Sequence, residues 1–104
     1  MQIHVNTDNN IEGSARMKTY FSDTLQDALS RFEDQIMRIE VHLSDENSHK
    51  EGNKDKRCLL EARLKGLKPV VVSNNAENID IAVSGAIDKM IKSLESTIGR
   101  LRNH

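Results

Sequence analysis

The sequence predicts a two-layer α/β sandwich in which a four-stranded sheet carries two helices on one face, in the order β-α-β-β-β-α. Two segments repeat apolar residues at intervals of three and four, the spacing of a one-faced helix. Four shorter segments show the alternation or the apolar, β-branched composition that is typical of strands. Because each helix has one apolar face, all elements can share one core in a single domain spanning residues 1–104.

The first strand and the first helix come from the N-terminal third of the chain. In "QIHV", Ile3 and Val5 share a face, and the following "NTDNNIEGS" is rich in turn-forming residues, so that Ser14 or Gly13 can cap a helix. A helix between two strands is a crossover, which predicts that the first two strands are parallel neighbours. The apolar face of this helix extends over about five turns and consists of Met17, Phe21, Leu25, Ala28, Leu29 and Phe32.

Three further strands follow. The second strand, "IMRIEVHLS", is predicted to bury Met37, Ile39, Val41 and Leu43. The third strand, "KRCLLEARLKG", is predicted to bury Cys58, Leu60, Ala62 and Leu64. "PVVVSN" is the fourth strand, and "DENSHKEGNKD" (residues 45–55), which has no apolar residue, is predicted to be an exposed, mobile loop.

The last helix is predicted to begin after Asn78, whose side chain can cap it. Its apolar ridge consists of Ile79, Val83, Ile87, Met90, Leu94, Ile98 and Leu101. We expect this ridge to pack on the same face of the sheet as the first helix.

The charges are distributed unevenly along the chain. Overall there are 15 basic and 16 acidic residues, but residues 1–55 carry 6 bases and 11 acids, whereas residues 56–104 carry 9 bases and 5 acids. A polyanionic partner is therefore expected to contact the second half. No apolar run approaches the ~20 residues of a membrane helix, and the start of the chain does not resemble a secretory signal.

Little in the sequence indicates catalysis. There is no glycine-rich phosphate loop, and the single cysteine, Cys58, lies in the apolar phase of its strand, which favours a core position and suits a reducing cytosol. His4 and His42 occupy the polar phase of neighbouring strands, where they could face each other and hold a metal, although no third ligand has suitable spacing. A small metal-site enzyme is thus the weaker alternative, and we predict no catalysis and no cofactor.

The last helix has one basic edge. At 100° per residue, Lys89, Lys92 and Arg100 fall within an arc of about 80°, centred roughly 130° from the apolar ridge. Two interpretations are open. Arg100 and Arg102 can simply complement the helix dipole at the C-terminus, or the edge can bind the phosphates of a nucleic acid.

The element order, together with "MQIHV", "NNIE" and "NIDIAVSGAIDKMIKSLESTIGRLRNH", resembles the ribosome hibernation-promoting factor family, also called ribosome-associated inhibitor A or ribosomal subunit interface proteins. The resemblance implies a cytoplasmic protein that binds the small ribosomal subunit in the channel used by messenger and transfer RNA. It also implies inhibition of translation in stationary or stressed cells. The residues that would then contact ribosomal RNA phosphates are Lys89, Lys92, Arg100 and Arg102.

Alternation in the third strand places three further cations, Arg57, Arg63 and Lys65, on the open face of the sheet, where we expect a second RNA contact. The alternative is a protein–protein interaction module in which the open sheet face contacts a partner or a second copy. Leu59, Val71 and either Val70 or Val72 would supply its apolar area. We predict neither a membrane partner nor a small-molecule substrate, and the oligomeric state stays open.

Overall fold

The computed structural model describes residues 1–46 and 55–102. Its strands are β1 (Gln2–Thr7), β2 (Ile36–Asp45), β3 (Lys56–Leu64) and β4 (Val70–Ala76), and its helices are α1 (Ala15–Ala28) and α2 (Ile79–Arg102). The four strands form one sheet in the order β1-β2-β3-β4. β1 runs parallel to β2, and the other neighbours are antiparallel. The predicted α/β sandwich and its β-α-β-β-β-α order are confirmed.

The core lies between the sheet and the two helices. Leu25 of α1, Leu60 of β3 and Leu94 of α2 are each 0% exposed and belong to one continuous cluster of buried side chains. Burying a leucine fully contributes roughly 1.5–3 kcal/mol, so the shared cluster fixes both helices on one face. The opposite face of the sheet stays open.

The start of β2 differs from the prediction. Met37 was expected to be buried with the other apolar residues of the strand, but it is 56% exposed, and Ile36 is only 1% exposed. The register with β3 shifts between Ile36 and Arg38, which marks a β-bulge. The extra residue of a bulge moves the side chains before it to the other face, and this places Met37 on the open side.

The first helix is shorter than the predicted five turns. The Ser14 hydroxyl accepts a hydrogen bond from the Met17 amide at 3.1 Å and caps the N-terminus. α1 ends at Ala28, and a separate 3₁₀ turn at Ser30–Phe32 carries Phe32 into the core. The apolar positions were assigned correctly, but the backbone changes from an α-helix to a 3₁₀ turn before Phe32, the last of these positions.

The long helix α2 lies close to β4. Its N-terminus is capped as predicted, because the Asn78 carboxamide oxygen accepts from the Ile81 amide at 2.8 Å. The Asn74 side chain donates to the carbonyl oxygens of Ile81 (3.5 Å) and Ala82 (3.3 Å). A Cβ atom at Gly85 would overlap that Asn74 side chain, so glycine permits the close approach of helix and strand.

The base of the hairpin between β2 and β3 is held by an ion-pair cluster. The Lys56 ammonium lies 3.2 Å from the Asp45 carboxylate and 3.1 Å from that of Asp55. Hydrogen bonds to Asp55 and Asp45 raise the pKa of Lys56. The two ends of the predicted loop are therefore anchored, whereas its residues 47–54, and with them its predicted mobility, lie outside the described residues.

Candidate nucleic-acid interface

The basic edge of α2 lies on the flank that faces β4. Lys89, Lys92 and Arg100 are all exposed, and the Lys89 ammonium donates a hydrogen bond to the Ser73 backbone oxygen at 2.8 Å. Because Ser73 belongs to the edge strand β4, this bond fixes the direction in which the basic edge points. The edge therefore runs beside β4 and away from α1.

The acidic residues of α2 lie on its other flank. Asp88 lines a groove with Tyr20 and Thr24 of α1, and the Glu95 carboxylate pairs with the Arg31 guanidinium at 3.2 Å. The helix thus separates its charges, with the cations beside the sheet edge and the carboxylates towards α1. This separation leaves the basic edge with a local positive potential despite the overall net charge of −1.

The three cations of the edge differ in how they are held. Lys89 is tied to Ser73, and the Arg100 guanidinium donates to the Ser96 hydroxyl at 3.4 Å, which is a long hydrogen bond. Lys92 makes no hydrogen bond or ion pair with any residue that the structure describes. Its ammonium is therefore the cation most available to an incoming anion, and it lies between the other two.

The neighbouring strand does not neutralise the edge. β4 reads VVVSNNA and contains no carboxylate. The Asp and Glu side chains that form ion pairs within the described ranges 1–46 and 55–102 contact other cations, and none pairs with Lys89, Lys92 or Arg100. Arg102 ends α2, and its side chain lies outside the described residues.

Two of the three cations predicted on the open sheet face are engaged by carboxylates. Arg57 lies 3.6 Å from Glu46, and Arg63 lies 3.4 Å from Glu61. Lys65 is exposed just beyond the end of β3 and forms no ion pair with the described residues. The alternation of β3 is as predicted, and it puts Arg57 and Arg63 on the opposite face of the sheet from α2.

The two histidines do not face each other. In the parallel register, His4 lies opposite Glu40 and His42 lies opposite Asn6. The His4 imidazole is 3.2 Å from the Glu40 carboxylate, and no group of three possible metal ligands occurs among the described residues. Within residues 1–46 and 55–102, His4 and His42 therefore do not form the metal pair considered from the sequence.

Glu40 is the centre of a polar network on the open face. Its carboxylate lies 3.1 Å from the Arg38 guanidinium and accepts a hydrogen bond from the Asn6 side chain at 3.2 Å. Burial raises the pKa of Glu40, but the Asn6 hydrogen bond and the charges of His4 and Arg38 outweigh it, so the net pKa is lowered. Sequence reasoning did not single out this network, because His4 and Asn6 reach Glu40 from the neighbouring strand β1.

The apolar area on the open face is small and discontinuous. Val71 is 54% exposed, and its partner across β3 is Glu61, whereas Leu59 lies between His42 and Ser73. The neighbouring Val70 and Val72 pack against the core instead. Charged and polar side chains thus flank Val71 and Leu59, which leaves little continuous apolar area between them for the open-face protein interface considered from the sequence.

Cys58 is fully buried among the core residues of β3, as predicted. Burial raises the pKa of its thiol to about 12. A thiol that keeps its proton is a poor nucleophile and a poor metal ligand. Cys58 therefore contributes packing.

Comparisons with known proteins agree with this fold. Over 93% of its length the chain is similar to the N-terminal domain of Thermus thermophilus Protein Y, with 21% identity, a TM-score of 0.72 and 99% of that domain covered. A ribosomal subunit interface protein from Coxiella burnetii is similar over 95% of this chain and 99% of its own, with 16% identity and a TM-score of 0.71. No curated protein sequence gives a match. No helix among the described residues is long and apolar enough to cross a bilayer.

The family comparison covers nearly the whole chain. The model of the family described as Sigma 54 modulation protein / S30EA ribosomal protein matches residues 3–102. This match confirms the resemblance to hibernation-type, ribosome-associated translation inhibitors, which are non-enzymatic modulators. The chain therefore belongs to the Sigma 54 modulation protein / S30EA ribosomal protein family.

Proposed function

We propose that this protein inhibits translation by binding ribosomal RNA of the small subunit, in the messenger and transfer RNA channel, through the basic edge of α2. The observation that carries the proposal is the set of three exposed cations, Lys89, Lys92 and Arg100, along one helix edge beside a strand without carboxylates. Family membership supports the ribosome as the partner. We place this activity in the cytoplasm of stressed or stationary cells.

The chemistry of the edge suits phosphate rather than base recognition. Lysine ammonium groups are mobile point charges that contact backbone phosphates without reading the sequence. An ammonium has three donors, so Lys89 can keep its bond to Ser73 and still donate to a phosphate. Lys92 has all its donors free of described partners, and we expect it to contribute most to binding.

A second contact can come from the open face through Arg57, Arg63 and Lys65, with Arg102 extending the first contact at the end of α2. Arg57 and Arg63 lie across the sheet from α2, so an RNA that reaches both surfaces must pass around the β4 edge. Arg57 and Arg63 must also leave Glu46 and Glu61 first. We therefore assign Lys65 the larger share of this second contact.

The test compares the parent protein with Lys89→Glu and Lys92→Glu in a pelleting assay with small ribosomal subunits over a series of salt concentrations. Each lost phosphate contact makes the dependence of log affinity on log salt shallower by roughly 0.7–0.9. Lys18→Glu, which makes the same charge change on α1, is the matched control. Unchanged affinity and an unchanged salt slope in both α2 variants would contradict the proposed edge.

Cellular context is tested separately. In a stationary-phase lysate separated by sedimentation, the protein is expected to travel with small subunits and whole ribosomes. A protein that stays at the top of the gradient at low salt contradicts the assigned partner, whatever the outcome of the binding assay.

A further inference from the structure

A groove separates the two helices on the side of α2 opposite the basic edge. Its floor is apolar and consists of Phe21, Val83 and Ile87, which are all buried. Around these residues the groove encloses about 310 Å³. It continues past Tyr20 and Phe21 towards Ser14, Arg16 and Met17, where the depression is wider and opens to solvent.

An exposed aromatic side chain stands on the wall of this groove. Tyr20 is 58% exposed, although its ring packs edge to face against Phe21 with 5.1 Å between centroids. An aromatic ring with an apolar body and a polar tip is a common anchor in protein interfaces. The groove thus presents apolar area that the fold itself does not cover.

The rim of the groove is acidic. Asp80 and Asp88 line it from α2, and Asp27 follows Thr24 by three residues on α1, which places it on the same flank of that helix. Arg16 stands at the open end. Beyond Asp88, the Arg31–Glu95 ion pair bridges the 3₁₀ turn and α2, and the Arg31 guanidinium lies over the Phe32 ring.

We propose that this groove binds a lysine- and arginine-rich segment of a partner protein that inserts an apolar side chain between the helices. The apolar floor and Tyr20 receive the anchor, and the carboxylates of Asp80, Asp88 and Asp27 pair with the flanking cations. The charge of the rim selects the occupant, because a phosphate backbone would be repelled there. The inference rests on a different surface from the RNA-binding edge and does not depend on it.

The chain contains its own reporter for this test. Tyr20 is the single tyrosine, and there is no tryptophan, so tyrosine emission comes from the groove alone. The probe is a synthetic amphipathic peptide with lysine, arginine and leucine but no aromatic residue. We expect it to change Tyr20 emission and to shift backbone amides near Thr24 and Ser84 in NMR spectra, with an affinity that falls as salt rises.

Two variants locate the site. Asp88→Lys is expected to weaken peptide binding roughly fivefold, the upper range for an exposed ion pair. Ser84→Arg adds both charge and bulk to the groove and is expected to weaken it further. Asp34→Lys, an exposed change outside the groove, is the matched control and is expected to bind like the parent.

Three results would overturn the proposal. One is a peptide that leaves Tyr20 emission and the groove amides unchanged at low salt. Another is that Asp34→Lys and Asp88→Lys weaken peptide binding equally. The third is an RNA oligonucleotide, or a second copy of the chain at high concentration, that produces the groove shifts in place of the peptide.

Discussion

The Lys89 ammonium donates a hydrogen bond to the Ser73 carbonyl oxygen at 2.8 Å and so joins the middle of α2 to the edge strand β4. Because this oxygen is a backbone group on a sheet edge, it would otherwise face water. A net hydrogen bond contributes about 0.5–1.5 kcal/mol. We expect Lys89→Met to lower the free energy of unfolding in urea by up to that amount and Lys92→Met to leave it unchanged. Equal effects of the two substitutions would mean that the bond does not form in solution.

A lysine in place of Ser96 is expected to strengthen binding to the small subunit. Ser96 lies one turn after Lys92 and one turn before Arg100, so the new cation extends the basic edge without a gap. Affinity at low salt should rise. The dependence of log affinity on log salt should steepen by up to roughly 0.7–0.9, the value of one phosphate contact. Thr19→Lys adds the same charge on the solvent face of α1 and serves as the control. An equal gain from both would show that only net charge matters.

The close approach of α2 to β4 predicts an unusual double-mutant cycle. Gly85→Ala displaces the Asn74 carboxamide from the carbonyl oxygens of Ile81 and Ala82, and overpacking of this kind costs about 1–3 kcal/mol. Once Asn74→Ala has removed that side chain, the same change is expected to be neutral or to stabilise by up to about 1 kcal/mol, the helix preference of alanine over glycine. Additive effects of the two substitutions in thermal unfolding would contradict the contact.

The stability of the folded chain is expected to depend on the core contacts of α2. Leu94 is fully buried, so Leu94→Ala should lower the free energy of unfolding by about 2–5 kcal/mol. Val71→Ala, on the open face, is expected to change it by less than about 0.5 kcal/mol. A small effect of Leu94→Ala in denaturant titrations would indicate that α2 does not pack on the sheet.

Cys58 predicts a pH dependence of both reactivity and stability. Burial raises the pKa of the thiol to about 12 in the folded chain, against an ordinary value of 9.0. Near neutral pH, we expect a thiol reagent to react only after unfolding in urea. Because the unfolded chain releases the thiol proton at a lower pH, the free energy of unfolding falls as the pH rises above the ordinary pKa of the thiol. Cys58→Ala should lack this part of the decline, and rapid labelling of the native protein would contradict the buried position.

The sequence predicted buried and exposed positions best where they depend only on the periodicity of a single strand or helix. Alternation in β3 predicted the buried positions from Cys58 to Leu64, since each side chain of a regular strand has a fixed face. Met37 was assigned to the wrong face, because a bulge depends on the register with β3 and leaves no mark within β2.

In the candidate site, too, the sequence predicted what depends on one helix but not what depends on tertiary packing. Helical spacing predicted that Lys89, Lys92 and Arg100 share an edge, and the exposure of all three agrees. Which neighbour that edge faces depends on tertiary packing. The Ser73 partner of Lys89 is a backbone oxygen, which has no sequence signal.

The parallel pairing of β1 with β2 has a consequence for synthesis of the chain. β1 is translated first, but its hydrogen-bonding partner follows only after the whole of α1. β3 and β4, by contrast, follow a partner that is already complete, and antiparallel neighbours close over shorter loops. We expect the nascent chain to assemble its C-terminal three strands and α2 as a unit, with the oldest strand adding to the sheet last.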